Sequence, residues 1–161
     1  MKPILLSDVV AEVESGGLLH AVRFEPELYD RLLRRVNEPA VAAVFRTCRR
    51  CHGWPGWVST QTVAVILSCS WGRYQILGWN LYAHMLYEGP VWAYLLDRDA
   101  QYKAFEGFIS TFGMTDVEFG HLDAASLKRF ARHYNGPGNI DGYVARLRAA
   151  FKRLAASREA G

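Results

Sequence analysis

Ile4-Leu5-Leu6-Ser7-Asp8-Val9-Val10-Ala11-Glu12-Val13-Glu14, closed by Ser15-Gly16-Gly17, sets the character of the fold. Its apolar residues recur at helical spacing, and two successive glycines stop a helix, so residues 4–14 are expected to be helical. The same spacing continues along most of the chain. Pro26 suits a first helical turn, and Leu28, Leu32, Leu33 and Val36 give that second helix a buried stripe. Residues 60–70 are apolar enough for a fully buried helix. Residues 92–96, 102–112, 123–134 and 140–156 complete the set, with Asp123 as an N-cap. Residues 37–58 read less clearly: 39–49 fit a helix, whereas 52–57 (HGWPGW) is a loop. No period-2 run exceeds about five residues, and 20–24 is the one extended candidate. The expectation is a mostly α fold with at most a small β element after the first helix.

Composition narrows the function classes. The 161 residues suit one domain spanning 1–161, and 50% apolar with 22% charged residues describes a globular chain rather than a disordered one. No apolar run reaches the roughly 18 residues of a membrane-spanning helix. The N-terminal patch Ile4-Leu5-Leu6 is too short for a secretory leader, so synthesis in a cytoplasm is expected. A net charge of +3 and a pI of 8.8 fall short of a dedicated nucleic-acid binder, and no nucleic-acid partner is expected. Three cysteines, an odd count, argue against a disulfide framework and suit a reducing compartment. A monomer is expected.

Three short stretches carry the chemistry. They are Ala11-Glu12-Val13-Glu14-Ser15-Gly16-Gly17, then Ser70-Trp71-Gly72-Arg73-Tyr74-Gln75-Ile76-Leu77-Gly78, then Ala131-Arg132-His133-Tyr134-Asn135-Gly136-Pro137-Gly138. Each alone is weak. In this order, with Phe24-Glu25 between the first two, they resemble the N-acetylmuramidase domain of modular phage endolysins. That domain belongs to the superfamily of goose-type lysozymes and lytic transglycosylases. The resemblance runs from about Ser7 to Phe151 and departs from the family between Val36 and Thr60. It implies a mostly α (α+β lysozyme-like) fold, peptidoglycan as substrate, and a cleft between the first helix and the segments bearing the other two stretches. It also implies a protein made in the host cytoplasm without a signal peptide and acting on the cell wall, in the periplasm, after release.

Glycosidic cleavage needs a carboxylic acid that can protonate the leaving oxygen, and a second carboxylate to activate water or steady the transition state. The resemblance puts Glu14 in the first role, against Trp71 and Tyr134. Glu12 sits about 200° around the helix from Glu14 and is expected on the solvent side. Glu25, eleven residues after Glu14 and across a turn, is the candidate second carboxylate. Its plainer reading is a charge at the start of the second helix, before Pro26. A wide carboxylate spacing, and hence inversion, is the expectation. Without Glu25 in the cleft, a one-carboxylate lytic transglycosylase becomes the better reading, and a non-catalytic wall-binding module is the remaining alternative. Ser15, Ser70, Tyr74, Gln75, Tyr134 and Asn135 are the substrate-binding candidates, with Gln75 and Asn135 able to donate and accept. Trp71, Tyr74, Trp79 and Tyr82 have the faces to stack on sugars or to pack in the core, and Gly72, Gly78, Gly136 and Gly138 are expected at tight turns.

Two features compete with this reading. Cys48-Arg49-Arg50-Cys51-His52 matches a haem-attachment pattern and half a zinc site, with Cys69 a conceivable third thiolate. The chain lacks a second ligand pair, so no metal and no cofactor is expected. The last helix carries Arg146, Arg148, Lys152, Arg153 and Arg158 opposite Val144, Leu147, Phe151 and Leu154. A packed helix with a solvated basic face is the default. Attraction to anionic outer-membrane or wall polymers is the sharper alternative.

Overall fold

The computed structural model describes residues 2–160. Their helices are α1 (Leu6–Ser15), α2 (Pro26–Arg34), α3 (Pro39–Cys51), α4 (Thr60–Ser68) and α5 (Gly78–Ala83), followed by α6 (Val91–Leu96), α7 (Arg98–Ser110), α8 (Ala124–Tyr134) and α9 (Ile140–Glu159). Strands β1 (Val22–Phe24), β2 (Cys69–Trp71) and β3 (Ile76–Leu77) pair antiparallel in the order β1-β2-β3. The fold is mostly α with one small sheet, as the apolar spacing predicts. The β part is nonetheless larger than expected, because β2 and β3 are too short to show a period of their own.

The first helix is held at both ends. Ser7 donates to the Asp116 carboxylate through its backbone N–H (2.8 Å) and its hydroxyl (2.7 Å), and Tyr102 Oη donates to the same carboxylate at 3.0 Å. At the other end Gly16 takes the left-handed conformation that two glycines signal (φ 61°), and its N–H donates to Glu12 O at 3.1 Å. Between them Leu6, Val9, Val10 and Ala11 are buried, and α1 packs on α9, which packs on α8. In α9 the buried residues Tyr143, Leu147 and Ala150 recur at steps of four and three, which is one helical stripe. Leu147, fully buried, contributes about 1.5–3 kcal/mol before entropy is counted. The basic residues of α9 are partly tethers: Arg153 pairs with Glu12 (3.4 Å), and Arg158 pairs with Asp8 (3.2 Å). Arg146 lies over the Tyr143 ring, 5.0 Å from its centroid.

Two sequence expectations need correcting. The helix expected over 60–70 stops at Ser68, and it is not buried all round, since Val65 is 41% exposed while Val63, Ala64, Leu67 and Ser68 are buried. β1 arrives alongside with Phe24 opposite Cys69, and the Glu25 N–H donates to Ser68 O at 2.9 Å. This tertiary pairing draws 69–71 out of the helix. α5 also goes unread in the sequence, being a single short stretch after the last strand.

The Cys-x-x-Cys-His segment closes α3 and serves packing. His52 Nε2 lies 3.2 Å from the Val91 N–H, which can only donate, so this nitrogen accepts and Nδ1 carries the proton to Cys48 O at 2.8 Å. The ring sits among Trp54, Tyr82 and Trp92 at centroid distances of 4.3, 5.5 and 5.1 Å. It therefore ties the end of α3 to the start of α6, and neither ring nitrogen is left for a metal. Burial, with Cys51 adding to it, pushes the Cys48 thiol up to about 12, which keeps it protonated and unreactive. Burial lowers the His52 pKa below its ordinary 6.5, while its bond to the Cys48 carbonyl pulls the other way.

Below about pH 6.5 the unfolded chain binds a proton at His52 that the folded chain refuses, so this residue's contribution to stability is full above that pH and is lost as pH falls. Urea midpoints at about pH 7.5 and about pH 5.5 should show a smaller loss for His52→Gln than for the parent protein. Equal losses would show that His52 does not supply this pH dependence.

Candidate active site

Residues directly opposite in an antiparallel pair share a face, so the register of the sheet builds one row from Arg23, Ser70 and Leu77. All three line a cavity of about 390 Å³. Trp71 and Ile76, in the neighbouring row, are buried on the core side at 8% and 2% exposure. The last turn of α1 contributes Glu14 to the cavity wall, and the β1–α2 junction contributes Glu25, Glu27, Leu28 and Arg31. The β2–β3 turn adds Gln75, and the end of α8 adds Tyr134 and Asn135. Leu28, Arg31 and Leu77 also line a second depression of about 280 Å³, with Leu32, Arg35, Ala40, Val41 and Trp79. The two depressions share these three lining residues and are together called the groove.

Glu14 is fixed by the far end of the chain. Tyr143, fully buried in α9, donates its hydroxyl to Glu14 Oε1 at 2.6 Å. Burial above all, and then the Glu14 charge, drive the Tyr143 phenol far above its ordinary value, so it remains a donor. Oε1 is therefore held while Oε2 has no such partner. Glu12 points elsewhere, to Arg153, as the helical angle between the two carboxylates requires. Tyr143 went unread as a site residue, although its place on the stripe with Leu147 and Ala150 marks it as buried. A buried tyrosine hydroxyl needs a partner.

Glu25 occupies the N-cap position of α2 ahead of Pro26, yet its side chain caps no backbone N–H. It lines the cavity instead, with Oε1 2.9 Å from Arg23 Nε. Both partners are substantially exposed, so the pair adds at most about 1 kcal/mol, and its effect is to orient the carboxylate. Glu27 and Arg31, one helical turn apart on α2, reach the same cavity and were not anticipated. A third carboxylate thus stands in the cleft, where the sequence offered no acid beyond Glu14 and Glu25.

Of the remaining candidates, Ser70, Gln75, Tyr134 and Asn135 line the cavity, whereas Ser15 and Tyr74 do not. The Ser15 hydroxyl donates to Arg73 O at 2.8 Å and binds α1 to the β2–β3 turn. Tyr74 is buried and stacked on Phe105 at 4.7 Å, and its carbonyl accepts the Tyr134 hydroxyl at 2.6 Å. Both residues shape the cleft from behind. Gln75 is held at φ 50°, and its amide nitrogen donates to Ala21 O and Gly72 O. Both of its donors are therefore internal, which leaves only the carbonyl oxygen to the groove and narrows the donor-and-acceptor role read from the sequence. Asn135, at the rim, makes no side-chain hydrogen bond among the described residues and keeps both functions.

Two glycines of the second stretch have specific causes. At Gly72 (φ 73°) a Cβ would stand 2.4 Å from Gln101 Oε1, the atom that accepts the Arg73 N–H. At Gly78 a Cβ would stand 2.0 Å from Ile66 O, which accepts the Trp71 indole N–H at 2.9 Å. Trp71 and Tyr82 accordingly belong to the core, and of the aromatic sugar-stacking candidates only Trp79 reaches the groove. Gly138 has open space around it and no left-handed backbone, so no tight turn demands it.

A groove with carboxylates from two separate elements on its walls fits a glycoside hydrolase. The sequence places it within that class: a model of the N-acetylmuramidase family matches residues 58–155, and the chain belongs to this family. It is a peptidoglycan-degrading muramidase. The endolysin of Enterobacteria phage PRD1 is similar to it, 33% identical over 134 residues that cover 81% of this chain and 85% of the relative. No solved structure matches the chain significantly. The family match spans α4 through most of α9, whereas Glu14 and Glu25 stand upstream of it on α1 and at the β1–α2 junction.

Replacing Tyr143 with Phe keeps the ring in the core and removes only the bond to Glu14. Urea denaturation should show a loss of about 0.5–1.5 kcal/mol, the typical net contribution of one hydrogen bond. A stability equal to that of the parent would show that the bond contributes nothing to holding α9 on α1.

Proposed function

We propose that Glu14 is the general acid of this muramidase and Glu25 its second carboxylate. The observation that carries the reading is their presence on one cavity wall system, Glu14 braced by Tyr143 and Glu25 turned from its capping position into the groove. With Oε1 held by Tyr143, Oε2 of Glu14 carries the proton that passes to the glycosidic oxygen as the C–O bond breaks. Glu25 Oε1 rests on Arg23, and its other oxygen takes a proton from the water that attacks the sugar's anomeric carbon. The water's oxygen forms the new bond, Glu25 ends protonated and Glu14 ends ionised. Exchange with solvent restores both. Asn135, Ser70 and the Gln75 carbonyl supply the hydrogen bonds that orient acetamido and hydroxyl groups, and Tyr134 walls the cleft. A Glu25 that activates water rather than attacking the sugar itself gives inversion, which is the proposed outcome. The protein acts on the wall after synthesis within the host cell, and Arg148 and Lys152, which form no ion pair among the described residues, are its candidate contacts to anionic wall or outer-membrane polymer.

Glu14→Gln should reduce degradation of isolated peptidoglycan by about 10²–10⁴-fold or more while leaving the thermal transition in place. Wild-type rates in a folded Glu14→Gln protein would remove the acid from the mechanism. Glu25→Gln should cost a comparable factor, because both groups act in one transition state. If that variant keeps a near-normal rate, and the products end in an anhydro sugar one water lighter than a reducing end, the reaction is a lytic transglycosylation. Proton NMR of the first-formed product should show the inverted anomer.

A further inference from the structure

Arg31 is the one residue of α2 that brings a positive charge to both depressions; Glu27 stands one turn before it, but among the described residues no carboxylate lies within ion-pair distance of it. Arg23 is engaged by Glu25, and Arg35 is engaged through two bonds to Glu38, at 2.9 and 2.8 Å. Arg31 forms no ion pair or side-chain hydrogen bond among the described residues, and it is exposed. Arg31 lines both the polar cavity holding Glu14 and Glu25 and a largely apolar depression. That depression is lined by Leu28, Leu32, Ala40, Val41, Leu77 and Trp79. A neutral pyranose can lay its C–H face on Trp79, but it carries no charge for Arg31 to meet. A short side branch of methyl-bearing groups ending in a carboxylate matches the lining in both chemistry and order.

Peptidoglycan carries such a branch on every second sugar, a lactyl ether followed by a peptide stem that bears free carboxylates. We infer that the second depression receives the first residues of this stem and that Arg31 binds a stem carboxylate. This deepens the muramidase reading and rests on it. The apolar wall takes the lactyl and alanyl methyl groups, and the planar fork of Arg31 meets the carboxylate through two parallel N–H donors. Arg31 is then a specificity-determining residue: it selects stem-bearing wall over naked glycan.

The test compares two substrates from one wall preparation: intact glycan strands with their stems, and the same strands after an amidase has removed the stems. The wild-type enzyme should show a higher kcat/KM on the stem-bearing strands, most of the difference lying in KM. Arg31→Gln should lower this preference ratio roughly tenfold, the loss expected when one carboxylate–guanidinium contact is removed. A wild-type enzyme with no preference between the two strands would overturn the inference. So would an Arg31→Gln variant that slows both substrates by the same factor, since Arg31 would then serve a glycan subsite. The Glu14→Gln result is read on either substrate, so the catalytic reading and the stem reading fail separately.

Discussion

A single hydrogen bond, from the Tyr143 hydroxyl to the Glu14 carboxylate, joins residues 129 positions apart and fixes the geometry on which the rest of the cleft depends. It needs α9 seated on α1 so that a fully buried phenol reaches the final turn of the first helix. That seating comes from the apolar stripes of both helices and from the Arg153–Glu12 and Arg158–Asp8 pairs along their rim. The rim pairs are exposed and contribute little by themselves, so the buried stripes hold the interface and the charges set its register. Fold and chemistry are coupled here. The acid is placed by the last helix of the chain, and that helix is placed by the core.

The sheet supplies the floor by the simplest means available to a short ladder. Three residues of β1, three of β2 and two of β3 suffice because alternation sends Trp71 and Ile76 to the core and the Arg23–Ser70–Leu77 row to the groove. The turn after β2 is held open from beneath: Gln101 accepts from Arg73 N–H and donates to the Leu19, Tyr94 and Leu95 carbonyls, while Gln75 bonds the Ala21 and Gly72 carbonyls. Two buried amides thus satisfy the backbone groups that an irregular turn leaves free. Gln75's left-handed backbone is tolerated because these bonds compensate it.

The region between α2 and α4, where the chain departs from the sequence pattern it otherwise resembles, serves packing. His52 and its ring of Trp54, Tyr82 and Trp92 do there what a longer hydrophobic helix would do elsewhere, joining α3 to α6 across a loop. A Cys-x-x-Cys-His spelling suggests a metal in one dimension. Three-dimensional burial gives both nitrogens of the histidine to backbone groups and leaves Cys48 as a protonated thiol.

Much of this was legible in the residues themselves. Helical periodicity gave the helices of α1, α2 and α6 to α9 to within a few positions, because an amphipathic stripe is a local signal. The paired glycines gave the end of α1, and the three short stretches together gave the family and, of the residues that line the cleft, Glu14, Ser70, Gln75, Tyr134 and Asn135. Tertiary contact decided the remainder. Whether 69–71 continued a helix or joined a strand depended on β1, some 45 positions earlier in the chain. Ser15 and Tyr74 carry groups suited to sugars, but partners distant in sequence turned both toward the protein interior. Glu27, Arg31 and Tyr143 gained their places only when α2 and α9 folded against the sheet and α1, since no local spacing tells a helix face that meets a groove from one that meets water or core.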